Sequence, residues 1–179
     1  MNDGLISKRY AKALLAFAAA RGEDKLMYES MKQLSASIAA TPRLRDVLQS
    51  PAVAAGDKEE LLCGAAGEAA GESYRRFVKL ALENRREGSL QSIALSYLDL
   101  YRRVHRIGRV SVVSAAPLSG DFVGRIRCDV ERRTRGTLEL DLRVDPSLGG
   151  GFIFQMDDFR VDASVAGQLE KIRRQLANG

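Results

Sequence analysis

The residues best suited to chemistry in this sequence are few and far apart. His105 is the only histidine, so no second histidine is available for a catalytic triad or for a two-histidine metal site. Cys63 and Cys128 each stand without a second cysteine nearby. A histidine at a helix end is typical of a cation placed against the helix dipole, and isolated cysteines are typical of free thiols in a reducing compartment.

Paired carboxylates and a glycine-rich loop also suggest chemistry at first sight. Asp157 and Asp158 are adjacent, but neighbouring side chains on a strand diverge, so a turn is expected rather than acid–base catalysis. Residues 149–151 are three glycines, but neither Lys-Ser/Thr nor a helix follows, as a phosphate loop requires. We therefore predict a close backbone turn at the glycines. We also predict no catalytic residue, no cofactor and no metal site, as in a protein that is not an enzyme.

An arginine-rich stretch at 125–135 suggests a different function, nucleic-acid binding. A helix carrying such a run can contact phosphates. Asp129 and Glu131 interrupt the run, however, and no aromatic side chains are interleaved for base stacking, which favours a solvated helix face. A nucleic-acid-binding module using this helix stays open as the alternative function. The run consists of Arg125, Arg127, Arg132, Arg133 and Arg135.

Composition is that of an ordinary soluble or peripheral protein. The 179 residues suffice for one domain or two small ones, and the hydrophobic content of 45% and charged content of 28% are typical of globular chains. The longest apolar run, at 13–20, is far shorter than the roughly 20 residues that a membrane span needs. A net charge of +5 permits an acidic partner without requiring one. No signal or transit peptide is visible at the N-terminus.

The hydrophobic periodicity changes between Ser89 and Pro117. Apolar residues repeat at helical spacing from Leu90 to Val104, and residues 110–114 are β-branched and nearly alternating, which indicates a strand. This change predicts an α+β protein with two domains. A six-helix bundle is expected in residues 1–105 and a small mixed α/β domain in residues 106–179.

Capping and stop signals locate the individual elements. Six helices are expected to begin near residues 3, 24, 42, 57, 72 and 90, and the fifth to run to about Arg86. The second domain should contain strands near 109–115, 138–144, 152–156 and 159–161, with helices at 119–135 and from 165. Residues 138–144 alternate between apolar and charged side chains, which predicts one face in a core and one in water.

The first and fifth helices offer the best candidate for a binding surface. The first has an apolar stripe, and both helices contain alanines small enough to let another helix approach. Tyr10, Phe17, Phe77 and Leu80 are suitable anchors for such a helix. The same residues would equally serve as bundle interior, so the pattern leaves both interpretations open. The stripe consists of Ile6, Tyr10, Ala13, Leu14 and Phe17.

Short motifs in a fixed order make nearly the whole chain resemble the delta subunit family of F-type ATP synthases, to which the mitochondrial oligomycin-sensitivity-conferring protein belongs. Arg85 stands where that family usually has glycine, and Gly149 where it has a branched apolar residue. Asp157 and Ala163 replace common glycines. The motifs are Arg-Tyr-Ala-Lys-Ala-Leu at 9–14, Leu-Glu-Asn-Arg-Arg at 82–86, Val-Ser-Ala-Ala-Pro-Leu-Ser at 113–119, Asp-Pro-Ser-Leu at 145–148 with the following glycines, and segment 161–170.

The resemblance implies a non-catalytic stator subunit. In that family the subunit links the top of the catalytic head to the b subunits of the peripheral stalk, so that rotor torque couples proton translocation to ATP synthesis. The N-terminal bundle holds the N-terminal helix of an alpha subunit against its first and fifth helices. The C-terminal domain meets the b subunits, which assigns that contact loosely to residues 150–176. The candidate alpha contacts, carried over by position, are Tyr10, Ala13, Leu14, Phe77 and Leu80.

The resemblance also implies a location and excludes some partners. The protein is expected on the cytoplasmic face of a bacterial inner membrane, held there through the complex rather than by a span of its own. No cofactor and no nucleic-acid partner is implied.

Overall fold

Residues 3–67, 70–134, 136–156 and 159–177 are described by the computed structural model. They fall into two units, Met1–Arg103 and Val104–Gly179. The first unit is helical and the second contains a four-stranded sheet, so the mixed α+β class expected from the sequence is confirmed. Among the helices of the described ranges, each is too short or too polar to cross a membrane.

The helices before the sheet follow the predicted order. α3 has the predicted bounds, with Pro42 at its first position. α4 begins at Ala55 rather than at Asp57, because extended Ala54 takes the N-cap and Asp57 lies in the first turn, where a carboxylate suits the helix dipole. The helices are α1 (Asp3–Ala20), α2 (Asp24–Ala40), α3 (Pro42–Gln49), α4 (Ala55–Ala66), α5 (Glu72–Glu83) and α6 (Leu90–His105), the last preceded by a 3-10 turn at Glu87–Ser89.

The interior of the first unit combines aliphatic, methionine and tyrosine side chains. The two most deeply buried tyrosines are hydrogen-bonded: Tyr74 Oη donates to the Leu62 carbonyl at 2.9 Å, and Tyr97 Oη to the Asp24 carbonyl at 3.2 Å. Burial raises the pKa of both tyrosines above the ordinary value. The residues that α2 and α6 bury most fully are Met27, Met31, Leu34, Leu90, Ile93, Ala94 and Tyr97.

An ion pair shielded from solvent joins α4 to the turn before α6. Lys58 Nζ lies 3.4 Å from Glu87 Oε1, and both side chains are largely covered. A buried ammonium requires a partner of opposite charge, since an unpaired one would lose its hydration without compensation. The pair therefore fixes the turn against α4.

α5 ends at Glu83 instead of the predicted Arg86, and the cause lies at Arg85. This residue has a φ of +53°, in the left-handed region. The chain closes there through bonds from Arg85 N to the Leu82 carbonyl and from Arg86 N to the Ala81 carbonyl, at 3.0 and 2.9 Å. Glycine adopts this conformation without a steric penalty, which explains why the family that the chain resembles usually has glycine here.

The second unit is a βαβ unit extended by a hairpin. The strand order is β2-β1-β3-β4, with β1 parallel to β2 and antiparallel to β3, and β3 antiparallel to β4. The predicted turn at Asp157-Asp158 lies outside the described residues. The elements are β1 (Gly108–Ser114), α7 (Gly120–Thr134), β2 (Leu138–Val144), β3 (Phe152–Met156), β4 (Phe159–Asp162) and α8 (Val165–Ala177), with a 3-10 turn at Pro146–Leu148.

The core of this unit is small and lies on one face of the sheet. Val110, Val112 and Leu138 are its buried members, and Phe152 receives the ring of Phe122 from α7 edge-on at 6.2 Å. The alternating pattern of β2 predicted a buried face along the whole strand, which is right only for its first half. Leu142, whose side chain shares that face, is 45% exposed.

The triple glycine forms the predicted close turn. All three glycines, 149–151, have positive φ. A Cβ on Gly151 would lie 2.1 Å from the carbonyl oxygen of Ala163, so no side chain fits. The turn thereby brings the start of β3 against the end of β4.

Replacing Arg85 by glycine should stabilise the protein. Arg85→Gly removes the strain of a left-handed residue and is expected to raise the free energy of unfolding by about 1 kcal/mol, measured by urea denaturation. Arg86→Gly is the matched control: Arg86 has a φ of −109°, so glycine there brings no relief and no gain. Equal effects of the two substitutions would show that the left-handed conformation does not limit stability.

Candidate partner-binding surfaces

α1 leaves several of its larger apolar side chains at the surface or only half-buried. Leu5 is 63% exposed and Phe17 39%, while Ile6 and Tyr10 are half-buried. The predicted stripe was thus misplaced by about one residue, and only its Leu14 belongs to the interior. The residues that face the interior are Ser7, Ala11, Leu14 and Ala18.

α5 supplies the other half of the predicted surface. α1 packs against α5, so the two predicted helices are neighbours. Phe77 is buried in the interior, whereas Leu80 is 50% exposed. Of the five candidate contacts, Leu14 and Phe77 therefore lie in the core, Tyr10 is half-buried, and Ala13 and Leu80 are exposed.

We call the accessible apolar set the α1–α5 surface. Its members on α1 recur at helical spacing along one flank of the helix. Ala13 is small enough to let a second helix come close, and the larger side chains around it supply apolar contact area. This arrangement offers apolar contact area of the kind that an amphipathic helix uses in a non-covalent contact. The set consists of Ile6, Tyr10, Ala13, Phe17 and Leu80.

A carboxylate links the end of α1 to the beginning of α5. Glu23 Oε2 accepts a hydrogen bond from the Ser73 backbone N at 3.1 Å, in the first turn of α5. Arg21 lies 3.8 Å from the same carboxylate, and its guanidinium stands 5.6 Å from the ring centroid of Phe17. Hydrogen bonds from Ser73, assisted by the charges of Arg21 and Arg76 and opposed by desolvation, hold the pKa of Glu23 below its ordinary value.

A second group of exposed apolar residues lies in the sheet unit. Strand register places Val161 opposite Phe154 and Phe159 opposite Met156, on the face that carries the core. That face therefore continues past the part that α7 covers. The exposed members on the outer strands and the last helix are Leu142 and Val144 on β2, Phe159 and Val161 on β4, and Val165 and Leu169 on α8.

Hydrogen bonds fix the start of α8 against the end of β4. Asp162 Oδ1 accepts from Ser164 N at 3.0 Å and from Ser164 Oγ at 2.6 Å, and Gly167 N donates to Ser164 Oγ at 3.0 Å. Hydrogen bonds from Ser164 hold the pKa of Asp162 below its ordinary value. This network orders the first turn of α8 directly after β4. Val165 and Leu169 therefore lie on a helix whose start is fixed to the end of that strand.

The residues considered for chemistry remain apart in the structure. His105 is exposed at the end of α6 and borders a shallow pocket with Arg106, Glu131 and Thr137. Cys63 and Cys128 are free thiols, the first half-buried and the second exposed. In the described ranges, no group of three His, Cys, Asp or Glu side chains is arranged to hold a metal ion.

The described arginines of α7 do not share one face. Arg125 and Arg132 are seven residues apart and lie on the same side, whereas Arg127 points about 160° away from Arg125 around the helix. Arg132 Nη2 also approaches Cys128 Sγ at 3.7 Å. The side chain of Arg133 and all of Arg135 lie outside the described residues. Nothing in the described part of α7 favours a continuous phosphate-binding face.

The Glu23 cap should make stability depend on acid pH. Because its pKa is lower in the folded than in the unfolded chain, its contribution is complete above the unfolded pKa of about 4.3 and is lost as pH falls through the folded pKa. Wild type should therefore be more stable than Glu23→Gln at pH 7, with the difference vanishing in strong acid. Urea denaturation of both proteins between about pH 7 and about pH 2 tests this. A difference that is constant across the series would contradict a role for the charge.

Comparison with known families gives one assignment over almost the whole chain. Residues 6–176 match the family model described as ATP synthase delta (OSCP) subunit. The chain is 43% identical over 176 residues to the ATP synthase subunit delta of Phocaeicola vulgatus, with 98% of this chain and 95% of that protein covered. It is 33% identical over 174 residues to the organellar chromatophore subunit delta of Paulinella chromatophora, covering 96% and 95% of the two chains.

The fold has a counterpart among solved structures. A chain of the cryo-EM structure of the Toxoplasma gondii mitochondrial ATP synthase hexamer superposes with a TM-score of 0.69. The match covers 96% of this chain and 97% of the other, at 19% sequence identity. At that identity the likeness concerns the fold.

Proposed function

The chain belongs to the ATP synthase delta (OSCP) subunit family, and from this membership we propose that it joins two parts of the enzyme through two separate surfaces. As a member of that family it is a stator subunit of the peripheral stalk of an F-type ATP synthase, a peripheral component of the membrane-associated complex, and not itself catalytic. What we propose in addition is which surface meets which partner.

The first proposed contact is between the α1–α5 surface and the N-terminal helix of an alpha subunit. The observation that carries it is the exposure of Phe17 on α1 and Leu80 on α5, two neighbouring helices that each already bury another face in the interior. An amphipathic helix lying along both helices would cover these apolar groups and remove them from water. Leu14 and Phe77 would support the surface from beneath, with Tyr10, Ala13 and Leu80 in direct contact.

The second proposed contact is between the sheet unit and the b subunits of the stalk. Phe159 and Val161 on β4, with Val165 and Leu169 on α8, are exposed within the 150–176 region. The Asp162–Ser164 network holds these two elements together at their junction. A helix of the stalk packing there would cover apolar groups that the small core of this unit leaves in water.

The two proposed contacts are divided between the N-terminal and the C-terminal parts of the chain. We propose that residues 1–105 act as one six-helix bundle that grips the head and that residues 106–179 act as the domain that grips the stalk. The corresponding location is the cytoplasmic face of a bacterial inner membrane. A stator must resist the reaction torque of the rotor for as long as the enzyme turns, and helix-in-groove contacts release slowly because their apolar area must be rehydrated on separation.

The head contact is tested by a charge placed on the α1–α5 surface. Leu80→Asp is expected to weaken binding of the full-length chain to a synthetic peptide of the alpha subunit N-terminal helix by at least about tenfold, because it buries a carboxylate in an apolar contact. Isothermal titration calorimetry measures the affinity, and circular dichroism checks the fold.

Leu95→Asp provides the matched control for this test. Leu95 on α6 is 49% exposed, almost the same as Leu80 at 50%, but it does not belong to the α1–α5 surface. The control should bind as wild type does. Equal affinity of Leu80→Asp and wild type, with both folded, would refute the assignment.

The stalk contact is tested by a charge placed on α8, with each variant measured against both partners. Leu169→Asp alters a side chain that is 62% exposed, so the fold should persist while binding to the soluble part of the b subunits falls by about tenfold. Analytical ultracentrifugation with purified b subunits measures this. Leu169→Asp should keep its affinity for the alpha peptide, and Leu80→Asp should keep its affinity for the b subunits. A variant that loses both partners would contradict the separation into two surfaces.

A further inference from the structure

The helices that form the α1–α5 surface carry a surplus of positive charge. From Gly4 to Ala20, α1 contains Lys8, Arg9 and Lys12 and no acidic residue. α5 contains three basic and two acidic residues. The apolar surface thus lies within a cationic surround, although the net charge of the whole chain is only +5.

Most of this charge is not neutralised within the protein. Arg76 is bound to Glu72 at 2.8 Å, a pair four residues apart on the same helix. Lys8, Arg9, Lys12 and Lys79, in contrast, form no ion pair with any residue that the structure describes. Their charges therefore remain available to a partner.

One of these cations borders the apolar surface directly, and a second lies beside one of its members in the chain. Arg9 follows Ile6 by three residues and precedes Ala13 by four, which makes it a neighbour of both on the helix surface. Lys79 immediately precedes Leu80, on the exposed side of α5. A helix lying over Ala13 and Leu80 would therefore have a cation beside it on each of the two supporting helices.

We propose that the α1–α5 surface selects a helix whose apolar stripe is flanked by acidic residues, and that Arg9 and Lys79 attract and orient it. This inference rests on the proposed function, because it concerns the partner of the same surface. The apolar residues hold the docked helix, whereas the cations discriminate between amphipathic helices of different charge.

The two roles predict different kinetic effects. Charges at the margin of an interface stay partly solvated, so they act mainly on the rate of encounter and on its salt dependence. Buried apolar contacts act mainly on the rate of dissociation. Screening shortens the range of the marginal charges to about 8 Å at physiological salt and about 3 Å at 1 M, so their effect must fade as salt rises.

The test compares two lysines with the same charge change. Lys79→Glu should slow association with the synthetic alpha N-terminal peptide by about threefold at low salt, with dissociation almost unchanged and the difference lost near 1 M salt. Lys171→Glu, at an exposed position on α8, should bind with wild-type kinetics. The double variant Arg9→Glu/Lys79→Glu should slow association further. Stopped-flow fluorescence with the full-length chain measures both rates.

A second arm changes the peptide. A peptide in which every Asp and Glu is replaced by its amide should associate at the same rate with wild type and with Lys79→Glu. Equal association of the acidic peptide with Lys79→Glu and Lys171→Glu, or a change confined to dissociation, would overturn the inference. Leu80→Asp, measured in the same series, reports on the proposed function separately: if it alone weakens binding, the docking site stands and only the charge selection fails.

Discussion

The way in which α1 is held to its neighbours determines which apolar side chains the first unit exposes. Ser7, Ala11 and Ala18 face the interior together with Leu14, so the contact is close but uses little of the apolar area that the helix possesses. Close packing by small residues fixes the rotation of α1 about its own axis, so only one side of the helix can face the interior. Because that side of α1 faces the interior, Tyr10 and Phe17 lie toward the surface. The surface is thus a consequence of how the core is packed and not an addition to it.

The sheet unit reaches a comparable result by a different route. Its four strands share one apolar face, but the single crossover helix α7 covers only the part around Val110 and Val112. The outer strands keep Leu142 and Phe159 exposed on that face, and α8 adds Leu169. In the first unit apolar groups remain exposed because the side of α1 that faces the interior carries mostly small residues, and in the second because one helix cannot cover a four-stranded sheet. Both arrangements leave apolar side chains exposed, and the two proposed contacts rest on these.

Much of this architecture was predictable, because the ends of strongly periodic strands and helices are marked by residues next to them in the sequence. β2 and β3 have the bounds that alternation and the flanking Pro and Gly residues predict, and α3 begins at its proline. The α+β class followed from the same signals, whereas the family resemblance rested on short motifs in a fixed order. The facing of α1 was not predictable from hydrophobicity, because Ser7 and two alanines occupy core positions that a pattern assigns to Ile6, Tyr10 and Phe17. The end of α5 was missed because Arg85 adopts a conformation that its residue type disfavours.

The passage from helix to strand near Gly108 is more tightly fixed than its sequence indicates. Arg106 closes α6 in the left-handed region with a φ of +53°, and a Cβ on Gly136 would lie 2.0 Å from the Arg106 carbonyl oxygen. Gly108 N donates to the Thr137 carbonyl at 2.9 Å, and β1 begins at the same residue. Glycine is required at 136 because two backbone segments touch there. Within the sheet unit, the segment that enters β1 is therefore held by backbone contacts to the residues that precede β2.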